Sequence, residues 1–355
     1  MLINLYKIIK KFVFFIFKII FFFIISTNIL LPNYNKKKIN NIKKFNPTKV
    51  IMEHLKDSYE WHFWGEKKNE FSITLPIILW DNGLKFFNFS DFKNINNVFK
   101  NNNNIYKIFN GKIYKLKSLK DLKNFKKKYK VYNTVLNFSI TKNVVVSFII
   151  SLLLLLIFIN MKNSYKNYYP NNIFGKILEI IILFIIDISE KNIGKKKEKY
   201  IPFLLTTFFF ILLSNLFGLI PTFPSITGNI SITLTLSLFV FLFTIFFTKN
   251  NFWKHLFTIK NIPFYIGIFL IFLDIIEILI KPLTLCIRLF ANISSGHIVL
   301  LSFICLIFIF KNIFSIFFAV PFTILISLLE ILVSFLQAFI FINLSSLFIG
   351  MVVNK

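Results

Sequence analysis

Five runs of apolar residues, each long enough to cross a bilayer, constrain this chain more than any other feature. They are Asn143–Asn160, Tyr200–Ile220, Ile230–Phe247 and two much longer ones, Pro263–Phe310 and Phe314–Met351. About 18–20 apolar residues in a helix cover the hydrocarbon core, and a helix satisfies its own backbone hydrogen bonds there. The chain therefore reads as an all-α polytopic membrane protein with about five transmembrane helices in residues 139–355. The last two runs exceed a perpendicular crossing, so they must tilt or curve. Composition agrees: 56% of the residues are hydrophobic and mean hydropathy is +0.69, far too apolar for a soluble domain of this length. A further segment, "NNIFGKILEIIILFIIDISEK" (171–191), sets Lys176, Glu179, Asp187 and Glu190 around its apolar stretch. Those charges fit a helix lying along the interface, or re-entering the membrane, better than a clean span.

The first 27 residues, "MLINLYKIIKKFVFFIFKIIFFFIIST", place Lys7, Lys10 and Lys11 before an apolar stretch. They read as a signal peptide or, without a clean small-residue cleavage site, as an uncleaved anchor. Either would export the polar segment C-terminal to it. That segment, residues 33–138, is rich in Asn and Lys, and two hairpin patterns stand out, "FSITLPIILW-DNG-LKFFNF" and "IYKIF-NG-KIYKL". A small, partly β extramembrane domain is expected there. His54 and His62 lie in "EHLKDSYEWHFW", which reads either as a metal site or as a solvated helix with incidental histidines.

Lysine asymmetry sets the orientation. Loop 161–199 carries eight lysines against four acids and 249–260 carries Lys249, Lys254 and Lys260, whereas the loops at 221–229 and 311–313 hold only Lys311. The positive-inside rule puts the first two in the cytoplasm and residues 33–138 outside.

Phe (50 copies), Ile, Asn and Lys are over-represented, the mark of an AT-rich genome, so the net charge of +27 is partly mutational drift and does not argue for nucleic-acid binding. Of 42 basic residues 41 are lysines. The single arginine, Arg288, lies in "KPLTLCIRLFANISSGHIVLLS", inside an apolar helix. At about 100° per residue, Asp274, Glu277, Lys281, Arg288, Asn292 and Ser295 all fall within about 60° of one another. Ionisable groups in a membrane are costly and line an aqueous path or a subunit interface. Asp274 and Glu277 are also placed to neutralise Lys281 as a simple salt-bridge ladder. Arg288 has no such partner, since the nearest acid on its face is more than two turns away.

His297 is rotated to the opposite side of the same helix. In the last helix Glu330 and Gln337 are seven residues apart and share a face, and Glu330, the only acid of that helix, needs a partner in a low-dielectric setting. His297 is the candidate, as a buried structural pair or as part of a proton path.

Together, "KPLTLCIRLFANISSGHI" and "LEILVSFLQAFIFINLSSLF" resemble the two signature helices of subunit a of the F-type ATP synthase, and "LLSNLFGLIPTFPSITGNISITLTLSL" resembles the family's segment upstream of them. The resemblance covers roughly 139–352. It implies a stator subunit of a bacterial inner membrane, with two offset half-channels for protons. Its last two helices would pack as a hairpin against the rotating c-ring, and the peripheral-stalk subunit b would be a second partner. It further implies that Arg288 is the essential arginine, that Asn292 and Gln337 stand at the family's polar positions, and that Asn215 lines the channel. Many bacterial members carry Glu and His where this chain has His297 and Glu330, an exchange that keeps one acid and one base. Residues 33–138 lie outside the family's common core.

A guanidinium suits that role. It stays charged in an apolar setting where a buried lysine deprotonates, and a fixed cation lowers the pKa of an approaching carboxyl. A sodium-coupled version of the subunit and a secondary transporter are the alternatives, but the inverted repeats of a transporter are not visible. No P-loop or nucleophile-elbow motif is present, so nucleotide chemistry would belong to a partner, and no cofactor is expected. Cys286 and Cys305 carry no metal or disulfide spacing.

Overall fold

The structure, a computed structural model, describes residues 48, 51–52, 55–64, 71–81, 83–90, 98–101, 104–109, 112–116, 134–166, 169–170, 172–220, 223–247, 264–310 and 313–353. The apolar segment 1–27, His54, the Asn110-Gly111 turn and the lysines of 249–260 lie outside them. The described residues fall into two compact units, one within Phe22–Val146 together with Pro221–Pro224, the other within Ser147–Ile220 and Ser225–Lys355.

The first unit is built from short antiparallel strands. β1 (Glu60–Trp64) pairs with β2 (Phe71–Thr74), and β3 (Pro76–Trp80) pairs with β4 (Leu84–Asn88). β5 (Val98–Asn101), β6 (Asn104–Phe109) and β7 (Lys112–Leu116) form a second meander, while β8 (Leu136–Asn137) returns to β3. The β3–β4 turn closes through the Asp81 N–H donating to the Gly83 carbonyl at 3.1 Å, and Gly83 takes a φ of 125° that disfavours a side chain. One face of the sheet supplies the core: Ile77, Leu79 and Phe87 pack with Tyr59, Tyr106 and Ile113. Asp81 ties the two meanders. It accepts from the Tyr106 hydroxyl at 2.7 Å and pairs with Lys115 at 2.8 Å and Lys85 at 3.2 Å. These bonds hold its carboxyl down at about 2.

The helical reading of "EHLKDSYEWHFW" requires correction. Glu60–Trp64, which contains His62, is strand β1. The reason is aromatic packing: Trp61 is buried and meets Phe223 edge-on at 5.3 Å, a contact that an extended, half-buried strand provides. Among the described residues no group of three or more His, Cys, Asp or Glu is placed to hold a metal. The "FSIT" and "PIILW" stretches, read as one arm of a hairpin, are two strands with different partners. Leu75 separates them, and its N–H donates to the Tyr59 carbonyl.

Helix α1 (Lys142–Ser164) starts within this unit. The Lys142 N–H donates to the Ser58 carbonyl at 3.1 Å and the Asn143 N–H to Asp57 Oδ1 at 3.5 Å, which supplies partners for two otherwise orphaned helix-start donors. Burial raises the pKa of the Asp57 carboxyl against the pull of Lys142. Along α1, Ile150, Leu154, Phe158 and Met161 are buried at helical spacing, while Phe148, Leu152, Leu156 and Ile159 are exposed.

The second unit is helical. α2 (Ile173–Ile193) buries Gly175, Leu178, Ile182, Ile185 and Ser189 on one face and exposes Ile173, Phe174, Ile177 and Ile180 on the other. α3 (Ile201–Gly218) is almost wholly buried, with Phe203 stacked on Phe243 of α4 (Ile230–Phe247) at 3.9 Å. α5 (Phe264–Phe310) contains Pro282 and α6 (Ile313–Val353) contains Pro321. At 1.5 Å per residue they are about 70 and 60 Å long, twice the ~30 Å hydrocarbon core. They run antiparallel in close register: Phe303 stacks on Phe322, Gly296 meets Glu330, Arg288 meets Gln337, and Lys281 meets Phe348 and Met351. The end of α2 docks on the end of α6, where Asn192 Nδ2 donates to Asn343 Oδ1 at 3.0 Å and Ser346 Oγ at 2.6 Å. Among the described residues, α1, α3 and Ile316–Met351 of α6 are long and apolar enough to cross a membrane, and Ile230–Phe246 is a shorter apolar helix.

Candidate functional site

The site is built where α5 and α6 pass one another. Helical geometry sorts the polar residues of α5 into two groups. Arg288, Asn292 and Ser295 lie on the exposed face of the helix, beside Ala291, Ile298 and Val299, which are exposed too. Leu285, Cys286, Leu289, His297 and Leu300 point inward and are buried. Gln337 of α6 reaches across and donates from Nε2 to the Arg288 carbonyl at 3.2 Å. That bond locks the level of the arginine against α6 while leaving the guanidinium on the open face.

The stripe is not uniform. Lys281 pairs with Glu277 at 2.8 Å, one turn back, and its ammonium also lies 5.1 Å from the Phe348 ring centroid and 3.5 Å from Met351 Sδ. Those two residues therefore form a local ion pair docked on the end of α6. Asp274, one turn further back, is half-buried.

Glu330 makes no hydrogen bond to His297, the partner the sequence offered it. Glu330 lodges its carboxylate against Gly296: a Cβ added there would lie 2.6 Å from Oε1 and 3.2 Å from Cδ. Both carboxylate oxygens are buried with no hydrogen-bond partner among the described residues. The physical reason is azimuth. The side of α5 that α6 covers at this level is residue 296, and residue 297 is turned about 100° further round the helix. His297 itself is 4% exposed.

Asn215 of α3 sits in a separate polar line that reaches the same helix. Its Oδ1 accepts from Thr227 Oγ1 at 2.7 Å, and its Nδ2 is buried without a partner among the described residues, as is the neighbouring Ser214 hydroxyl. Thr227 belongs to a single 3-10 turn, Ile226–Gly228. The Gly228 carbonyl accepts from Ser294 Oγ of α5 at 3.4 Å, one turn before His297. A buried polar atom left without a partner costs roughly 1–3 kcal/mol, and a water fits both atoms: Asn215 Nδ2 needs an acceptor, and the Ser214 hydroxyl takes either role.

Four participants were invisible in the sequence. Ser294, Thr227 and Ser214 are small polar residues of a kind scattered throughout the helices. Gly296 was part of the motif but had no assigned role, although it makes room for Glu330.

Comparison with known proteins supplies the relationship. Residues 144–350 match the family described as ATP synthase A chain. Residues 50–138 match a domain of unknown function, DUF8433. ATP synthase subunit a of Chlorobium phaeobacteroides (strain BS1) is 49% identical over 181 residues, covering 49% of this chain and 53% of the relative. That of Chloroherpeton thalassium is 45% identical over 183 residues, covering 50% and 54%. That of Myxococcus xanthus is 38% identical over 189 residues, covering 51% and 62%. The chain thus spans about half the length of the curated relatives it matches. With more than half of its residues inside the family match, as the two signature helices anticipated, this chain belongs to the ATP synthase A chain family, subunit a of the F-type ATP synthase.

Proposed function

We propose that this chain is the proton-conducting stator subunit of a bacterial F-type ATP synthase, seated in the inner membrane with the c-ring and the peripheral-stalk subunit b as partners. The observation that carries the reading is the division of polar residues around α5. Arg288, Asn292 and Ser295 occupy a face that the other described residues leave open and that exposed apolar side chains border. Glu330, Ser214 and Asn215 hold buried polar atoms behind it. The open face suits a rotating ring; the buried polar atoms suit a hydrated path leading to it.

In this reading a ring carboxyl that arrives opposite Arg288 gives up its proton, because the fixed cation favours its ionised form. The proton leaves through one half-channel. After rotation the carboxylate is reprotonated from the other, which we assign to Asn215, His297, Glu330 and Gln337 and orient toward the outside. Asp274, Glu277 and Lys281 lie toward the cytoplasmic end of the stripe. Arg288 blocks a direct leak between the two paths by electrostatic repulsion. Tilting of α5 and α6, packed as a hairpin, accommodates their excess length and lays both along the ring. The 33–138 segment is an extracytoplasmic domain, the 171–191 helix lies at the interface, and residues 139–355 form the membrane domain. ATP itself is handled by other subunits.

The test is Arg288→Lys in the assembled complex, read as ATP-driven proton uptake by inverted membrane vesicles. Subunit levels should be normal and pumping abolished, since a lysine in this setting sheds its charge. Pumping at near wild-type rates with normal assembly would overturn the proposal.

A further inference from the structure

The β unit carries an apolar face that its own core does not use. In an antiparallel sheet directly paired residues share a face. Trp80 pairs with Leu84 on one side and Leu136 on the other, and Ile78 pairs with Phe86. Phe138 follows Leu136 by two residues, and its N–H donates to the Ile78 carbonyl at 2.9 Å. These side chains stand opposite the face that packs Ile77, Leu79 and Phe87 into the core. Trp80, Leu84, Phe86 and Leu136 are 51–68% exposed. An antiparallel sheet with one face in water alternates apolar-in and polar-out. This one is apolar on both faces.

The chain itself says what lies nearby. Ser139 Oγ accepts from the Ile78 N–H at 3.0 Å and the Ile140 N–H donates to the Pro76 carbonyl at 3.4 Å, so the strand edge runs on toward α1 without a free linker. Asp57 and Ser58 then hold the first two residues of α1. From Phe138 to Lys142 the backbone reaches no more than about 14 Å. α1 is 23 residues, about 34 Å, only slightly longer than the ~30 Å hydrocarbon core. Its first turn must therefore sit at the bilayer boundary, with the apolar sheet face within headgroup reach of it. Tryptophan and phenylalanine beside a membrane entry point fit that depth. Residues 117–130, which lead into β8, carry seven lysines against one acid, a charge suited to anionic headgroups.

We propose that the face formed by Ile78, Trp80, Leu84, Phe86, Leu136 and Phe138 is a lipid-docking surface that rests in the headgroup–acyl boundary and braces the start of α1. The inference needs only that α1 crosses the bilayer; it stands or falls separately from the ion-conduction reading.

The test places an environment-sensitive fluorophore on the full-length chain through Phe86→Cys or, separately, Leu136→Cys, with Cys286→Ala and Cys305→Ala removing the native thiols. A Thr74→Cys chain is the reference, labelled on β2 at an exposed residue that is not one of the six of the face. The chains are reconstituted into phosphatidylethanolamine–phosphatidylglycerol vesicles with brominated acyl chains. The labels at 86 and 136 should emit at shorter wavelength than the one at 74 and lose most of their emission to brominated lipid, while aqueous iodide quenches only position 74. Iodide quenching at 86 and 136 equal to that at 74 would put the face in water and overturn the proposal. Protection from both quenchers would mean that protein covers the face and would overturn it equally.

Discussion

Gly296→Ala probes the seat of Glu330 with a single methyl group. The added Cβ would lie 2.6 Å from Glu330 Oε1, so that oxygen must retreat by about 0.8 Å to reach the 3.4 Å of ordinary contact. The obstacle is the end of a flexible side chain, which puts the stability cost near the lower end of the ~1–3 kcal/mol typical of overpacking. The chain should therefore fold and assemble. Transport should suffer more than stability, because the carboxylate is pushed from the position it holds between α5 and α6. Glu330→Asp withdraws the carboxylate by one methylene, about 1.5 Å, so in the Gly296→Ala background it should recover part of the lost pumping. A double-mutant cycle on ATP-driven proton uptake in inverted vesicles should give a coupling of roughly 0.5–3 kcal/mol, as residues in contact do. Strictly additive defects, or wild-type pumping by Gly296→Ala, would refute the argument that this glycine exists to seat the acid.

Further consequences can be checked directly. Gly350→Ala should be worse than Gly296→Ala, since its Cβ would strike the backbone carbonyl of Asn192, which cannot rotate away; the expected result is loss of α2 docking, by about 1–3 kcal/mol, seen as protease sensitivity at the α2–α3 junction. Asp81 has a folded pKa of about 2 against 3.8 for the free group. Its contribution to the β unit is complete above the higher value and lost as pH falls through the lower, so proteolytic resistance of the sheet should drop across that window in the parent chain and not in Asp81→Asn. The lysine asymmetry predicts that a cysteine at Asn110 is labelled by an impermeant reagent from outside intact cells and one at Lys196 is not; the reverse pattern would invert the topology.

Much of this protein is local information. Runs of apolar residues specify helices wherever the surroundings are lipid, and a 3.6-residue period fixes which residues of α5 share a face. The stripe from Asp274 to Ser295 and the inward turn of His297 could therefore be laid out from residue numbers alone. Arg288 stood out because every other basic residue is a lysine. Tertiary structure decided the rest. Helical period gives the azimuth of a side chain but not which neighbour lies along it, and so Glu330 settles against Gly296 instead of bonding to His297. The line from Asn215 through Thr227 and Gly228 to Ser294 joins three elements up to 79 positions apart in sequence, through side chains too small and too common to signal themselves. In the β unit, "FSIT" and "PIILW" share one strand-like pattern, yet they pair with different partners on either side of Leu75, because the alternation of a strand carries no record of which edge will claim it.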